Sequence, residues 1–262
     1  MQIIKRIIDD QFLVNVKLGD IHLGNNNCDK RMVENVLNYI KTHKCTWLGM
    51  GDYADAITPS DPRFDYRSID RDYQTPQDQY AKIYDWFKPI KNKCLGLLDG
   101  NHDILHWKKH AHNYVKELAE KLDVEYLTID AFIRLYFSKF DANYDIYAHH
   151  GWTGSRTKGA KIMRIYDLES FLAHEYDMGH IHDLGLVDKK VQLYVDKDLE
   201  IKDRLSWYVL TGGFLRGYVK GQVSYVEEKT YRPTALGSPV LTITPIKGKT
   251  TVSFNVDYKD IR

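Results

Sequence analysis

Cysteine is scarce in this chain: Cys28, Cys45 and Cys94 are the 3 cysteines among 262 residues. An odd, widely spaced set forms no disulfide framework and no CxxC metal clip, so free thiols in a reducing compartment are expected. Charge of either sign is not in excess. Lys and Arg total 37 against 36 Asp and Glu, a formal net charge of +1. Bulk electrostatics therefore demands neither a nucleic acid nor a membrane as partner, although a local basic groove can sit on a neutral protein. No apolar run approaches the roughly 20 residues that cross a bilayer. The first residues interrupt Ile3, Ile4, Ile7 and Ile8 with Lys5, Arg6, Asp9 and Asp10, which is not the pattern of a signal peptide. A soluble, cytoplasmic protein with no membrane partner is expected. A fixed-period repeat, a low-complexity tract and a Gly/Ser linker are also missing, so one domain over residues 1–262 is the economical organisation.

What is present is a chain with 43% hydrophobic residues, enough for a substantial core. Its first half alternates strand-like and helix-like patterns. Phe12–Leu18 is β-rich and ends at Gly19-Asp20; Thr46–Met50 is a short apolar run that again ends in Gly-Asp; Leu95–Leu98 runs into Asp99-Gly-Asn-His102. Between them, Met32, Val33, Val36, Leu37 and Ile40 share one helical face over 29–43, with Asp29 or Asn27 as N-cap, and 77–90 forms a second helix. The second half is richer in strands, at 132–137, 145–148, 191–195, 206–210 and 240–244. This rhythm predicts an α/β layered arrangement with polar residues gathered just after strand ends. Residues 56–76 form a polar insertion with Pro and Asp, too long for an ordinary connection and placed to be a lid or substrate loop.

The residues that carry chemistry lie in short motifs at those strand ends. In order they are Gly19-Asp20-Ile21-His22, Gly51-Asp52-Tyr53-Ala54-Asp55, Gly100-Asn101-His102-Asp103, His149-His150-Gly151 and Gly179-His180-Ile181-His182. In Asp20-x-His22 and His180-x-His182 the spacing of two puts both side chains on one side of an extended segment, where they can serve one centre. Asp, His and Asn together make a borderline-hard donor set suited to Mn, Fe, Co, Ni or Zn. A carboxylate can bridge two such cations, and two ions about 4 Å apart can activate water and steady phosphoryl oxygens during in-line displacement.

The ordered pattern D-x-H, G-D-x-x-D, G-N-H-[DE], H-G, G-H-x-H resembles the signature of the calcineurin-like metallophosphoesterases. It runs from Asp20 to His182; residues 183–262 carry no motif beyond strands that would complete a sandwich. The resemblance implies a two-sheet β-sandwich flanked by helices, with the site at strand ends. It implies that Asp20, His22, Asp52 and His182 hold one divalent transition-metal ion, Mn foremost. Asp52, Asn101, His150 and His180 hold a second, with Asp52 as bridge. The family places its ligand directly before the glycine of the fourth motif, which selects His150 over His149. It also implies His102 as proton donor or phosphate contact, Asp55 as the group orienting its ring, and a metal-bound water or hydroxide as nucleophile.

One departure from the family stands out. Its protein phosphatases follow G-D-x-x-D with Arg-Gly, whereas Ala56-Ile57 follow Asp55 here. A phosphate grip is sought elsewhere: in Arg156, Lys158 and Lys161 beside the His150 motif, or in Arg216 after Thr211-Gly-Gly213. His106, His110 and His112 are expected on a solvated basic helix face rather than as a second metal cluster. The resulting expectation is a metal-dependent phosphodiesterase, with a nuclease or nucleotide phosphodiesterase preferred and a phosphate ester, nucleic acid or nucleotide as partner. A phosphomonoesterase acting on a small metabolite, and a metal-bound binding module without catalysis, are the alternatives.

Overall fold

The structure, a computed structural model, describes residues 1–152, 157–196, 199–248 and 252–262, apart from the side chain of Lys158. In chain order, β1 (Gln2–Ile8) and β2 (Leu13–Leu18) precede α1 (Lys30–Thr42), β3 (Thr46–Gly49), α2 (Pro76–Phe87), β4 (Cys94–Leu98), α3 (Asn101–His110) and α4 (Tyr114–Leu122). Then come β5 (Tyr126–Thr128), β6 (Asp130–Phe137), β7 (Ala142–His149), α5 (Lys158–Tyr166), β8 (Glu175–Met178), β9 (Leu184–Val195), β10 (Ile201–Thr211), β11 (Ser238–Lys247) and β12 (Val252–Ile261). Two mixed six-stranded sheets result, ordered β1-β6-β7-β8-β10-β9 and β12-β11-β2-β3-β4-β5.

Side-chain alternation explains why these sheets stack and why helices cover them. On β10, Trp207 and Val209 enter the core between the sheets, while Tyr208 and Leu210 join Ile165 and Leu168 on the other face. On β3, Leu48 faces the inter-sheet core and Trp47 packs with Val33, Val36 and Ile40 of α1. Period two in the strands and 3.6 in the helices thus build three apolar layers between four structural ones. The expected two-sheet sandwich flanked by helices is the architecture found.

The helices begin where their caps require. Asp29 accepts from the Met32 amide at 3.1 Å to open α1, and Thr75, followed by Pro76, caps α2. The first strand, β1, was not among the expected ones; its exposed Ile3 and Ile7 alternate with inward positions, and it pairs in parallel with β6. Strand pairing then gathers the motifs. β2, β3 and β4 run parallel in one sheet, and β7 and β8 run parallel in the other. Their C-terminal ends therefore open at a common edge, where the motif loops leave the sheets.

Candidate metal centre

Unusual backbone shapes the motif loops. Asp20, His22, Asp52, His180 and His182 all have positive φ, between 49° and 66°. Left-handed backbone is costly for residues with a Cβ and persists only where the surroundings enforce it. Here it turns each side chain back toward the loop edge. Close crossing of the loops needs glycine at two points. A Cβ on Gly51, at φ 87°, would lie 2.5 Å from the Gly100 amide nitrogen, and one on Gly100 would collide with the Asp52 carboxylate.

Asp103 fastens that crossing. Its Oδ2 accepts from the Asp52 amide at 2.9 Å and the Gly100 amide at 2.7 Å, and Tyr80 donates to its Oδ1. The G-D and G-N-H-D motifs are thereby locked to one another through a buried carboxylate.

The ligand side chains converge in two adjoining groups, Asp20/His22/His182 and Asp52/His150/His180, each with donor atoms within 4.8 Å of one another. His22 Nε2 lies 3.2 Å from His182 Nε2, and His182 Nε2 lies 3.3 Å from Asp20 Oδ1. The groups meet at a single atom: Asp52 Oδ2 stands 3.7 Å from His22 Nε2 and 3.3 Å from His150 Nε2. Asn101 Oδ1 is 3.2 Å from His150 Nε2 and 2.5 Å from His180 Nδ1. With Oδ1 inward the amide joins the donor set of a cation; turned over, its nitrogen donates to Asp52 Oδ2 at 3.1 Å instead. His149, by contrast, uses Nδ1 to accept from the Gly151 amide at 2.7 Å.

These residues fit divalent cations. Ring nitrogens face one another and face carboxylates at distances that a shared cation satisfies better than a proton does. The distal nitrogens are also held as in metal sites. His150 Nδ1 donates to the Met50 carbonyl at 2.6 Å, and His22 Nδ1 stands 3.3 Å from Asp55 Oδ1, leaving each Nε2 directed inward. Electrostatics points the same way. Burial would raise the Asp52 pKa, but His150, His102 and His22 hold it well below the carboxylate range. Burial also opposes charge on His150, yet the Asp52 carboxylate outweighs it and lifts that pKa to about 10. Burial and the neighbouring His150 push His180 down to about 4. Clusters of Asp and His here could thus bind metal ions.

His102 sits beside this centre, in a third group with His22 and Asp55. The Asp55 contact to its ring differs in detail from the expected one. The Asp55 main-chain carbonyl accepts from His102 Nδ1 at 2.6 Å, whereas the Asp55 carboxylate is 3.6 Å from that nitrogen and closer to His22. His102 Nε2 contacts Arg63 Nη1 at 2.9 Å. Arg63 was not singled out in the sequence, although Asp61-Pro62-Arg63 in the 56–76 insertion, next to the missing motif arginine, was a signal for it.

The cations expected to grip phosphate are placed as follows. Arg156 and the side chain of Lys158 lie outside the described residues. Lys161 donates to Asp183 Oδ2 at 3.0 Å and to the Ile181 carbonyl at 3.3 Å, which ties α5 to the His180–His182 turn. Arg216 donates through Nε and Nη2 to Asp29 Oδ2, at 2.9 and 2.7 Å, at the start of α1.

The solvated face expected of His106, His110 and His112 holds for His110 and His112, which are exposed, and not for His106. His106 is buried, and it lines a cavity of about 1030 Å³ with His110, His112, Tyr80 and Tyr114. The left-handed Ala111 that ends α3 turns His112 back toward the same space. Two of the rings are engaged with neighbours, His112 Nε2 with Glu117 at 2.9 Å and His110 Nε2 with the Thr58 hydroxyl at 3.3 Å.

No family model and no curated protein matches the chain. Among solved structures it is similar to Vacuolar Protein Sorting 29 from Cryptosporidium parvum, at 12% identity and a TM-score of 0.38, over 96% of this chain and 100% of that one. A similarity of that size bears on neither ligands nor activity. No helix among the described residues is long and apolar enough to cross a membrane.

Proposed function

We propose that this protein hydrolyses phosphodiesters at a centre of two divalent metal ions, as a nuclease or nucleotide phosphodiesterase. The observation that carries the proposal is the Asp52 carboxylate. One of its oxygens faces both donor groups, at 3.7 Å from His22 Nε2 and 3.3 Å from His150 Nε2. A bridging carboxylate between two His-rich donor sets is the arrangement that in-line phosphoryl transfer uses. Asp20, His22 and His182 would hold one ion, and Asn101, His150 and His180 the other. When bound, the pair supplies Lewis acidity and an activated water.

The chain's own residues supply the rest. Asp52 Oδ1 accepts from the His102 amide at 2.9 Å, so the bridging residue also fixes the start of α3, from which the His102 ring projects. With Nδ1–H held by the Asp55 carbonyl, His102 Nε2 accepts from Arg63 Nη1, and it is the position that would exchange a proton with the ester oxygen once substrate takes over that contact.

The test compares bis-p-nitrophenyl phosphate with p-nitrophenyl phosphate, using metal-stripped protein before and after manganese addition, with His102→Ala alongside. Manganese-dependent diester cleavage that His102→Ala abolishes at unchanged metal content is the expected result. Monoester cleavage alone would replace the diesterase by a phosphomonoesterase. Two bound metals without turnover on either ester would leave a binding module.

A further inference from the structure

The 56–76 excursion is pinned at both ends of its course over the site. Near its end, the Asp70 amide donates to the Gly24 carbonyl at 2.8 Å, and Asn26 donates to the Arg67 carbonyl at 2.7 Å, just after the Asp20–His22 motif. Near its beginning, Asp61 is the fastening point. It is buried, although it lies on a polar loop. Its Oδ1 accepts from the Arg63 amide at 2.9 Å and from Arg63 Nε at 3.1 Å, and its Oδ2 accepts from Arg63 Nη2 at 3.0 Å. Lys109 of α3 stands 3.5 Å from the same Oδ2.

This clamp orients a guanidinium. Asp61 occupies the Nε edge of the fork, so the Nη1 corner is the part that extends toward His102 Nε2, at 2.9 Å. A guanidinium has five N–H donors in a rigid plane. Two are turned to Asp61 and one to His102, which leaves further Nη donors for an incoming oxyanion. Charge also favours an anion there. Asp61 balances one of the two cations around it, and the second leaves the Asp61–Arg63–Lys109 group net positive beside the metal centre. Lys161 and Arg216 are held by Asp183 and Asp29, and the contact Lys161 makes with the His180–His182 turn is to the Ile181 main chain.

We infer that Arg63 grips the substrate phosphate and that Asp61 is its positioning residue. The inference rests on the phosphoesterase reading above. A phosphate oxygen entering beside His102 Nε2 comes within one hydrogen bond of Arg63 Nη1. Planar, charge-assisted donation of this kind suits phosphate better than an ammonium does.

Inorganic phosphate, titrated by calorimetry into the manganese-loaded full chain, reads binding without turnover. Arg63→Ala is expected to weaken phosphate affinity by about 10- to 100-fold, the size of one charge-assisted hydrogen bond or two, with manganese content unchanged. Arg63→Lys should recover part of the loss, and Asp61→Asn should raise KM for bis-p-nitrophenyl phosphate more than it lowers kcat. Arg67→Ala is the control on the same loop. Its guanidinium pairs with Asp65 and Glu228, and the substitution should leave phosphate affinity unchanged. Should Arg63→Ala lose manganese or unfold, Arg63→Gln keeps part of the side chain without its charge and answers the same question. Equal phosphate affinity in wild type and the Arg63 variants overturns the inference, as does a wild type that binds no phosphate. Failure of the wild type to hydrolyse either ester sinks the proposed activity instead. The phosphate titration still decides Arg63 in that case.

Discussion

Two groups of buried carboxylates lie in the sandwich, and their charge is balanced by different means. Between the sheets, Lys17 of β2 reaches Glu175 Oε1 at 2.5 Å and Asp177 Oδ2 at 2.7 Å on β8, and all three side chains are fully buried. Tyr144 donates to Glu175 Oε2 at 2.8 Å. Burial, then the charge of Glu175, pushes the Asp177 pKa well above the carboxylate range, whereas the two carboxylates outweigh burial and keep Lys17 charged. The lysine sits between two carboxyl groups, one of which, Asp177, is pushed toward its protonated form. The chain carries its own counter-ion there. Just past the ends of β2 and β3, Asp20 and Asp52 are buried equally but are surrounded by histidines and an amide. Those groups can donate lone pairs, so this cluster is built to receive cations. The internal pair holds the two sheets in register just before the loops that bear Asp20 and His180. The same fold thus separates charge that holds it together from charge that awaits a partner.

Breaking the first cluster should have the largest effect. Lys17→Met leaves two carboxylates buried without a cation and is expected to destabilise the metal-free protein by about 3–5 kcal/mol, measured by urea unfolding. Adding Glu175→Gln and Asp177→Asn to it should recover most of that loss, because the uncompensated charge is gone. A triple variant as unstable as the single one would show that the lysine matters for packing rather than for charge. At the second cluster, Asp52→Asn should cut manganese-dependent diester hydrolysis by about 10²–10³-fold and lower the bound manganese.

The comparison can be sharpened by pH. In the metal-free protein His150 titrates at about 10 because Asp52 stands beside it. A folded pKa above the ordinary histidine value means that this proton stabilises the metal-free fold fully below about pH 6.5, and that the contribution is lost as pH climbs toward 10. A cation must displace the same proton. His22, another of the donors, is raised as well, so manganese affinity should rise at least about tenfold per pH unit from about pH 6.5 toward 10, with one proton or more released, as seen by calorimetry in buffers of different ionisation enthalpy. In Asp52→Asn the slope should flatten. The smallest effect belongs to the surface pair of Arg216 and Asp29. Arg216→Ala should cost no more than about 1 kcal/mol, because Asp29 still caps α1 through the Met32 amide.

Much of this molecule was legible in its residues. The helix over 29–43 follows from apolar spacing and its Asp29 cap, and the strands that end in Gly-Asp follow from short apolar runs stopped by glycine. β1 was hidden because Lys5 and Arg6 break its apolar character; an edge strand with one solvated face does not need a continuous run. The exposure of His110 and His112 was legible from their spacing; the burial of His106 was not, because it depends on the left-handed turn at Ala111 that folds the chain back past the helix end.

The amino-acid sequence by itself determined the donor types, their order, and their places just after strands, because local hydrophobic periodicity and glycine punctuation are properties of neighbours along the chain. Tertiary structure alone decided that one oxygen of Asp52 faces both donor groups, that Lys17 crosses between sheets to Glu175 and Asp177, and that Arg63 reaches His102. Each of those contacts joins residues far apart in the chain. Their distances are set by how the two sheets stack and how a long polar loop is pinned, and no local pattern encodes either.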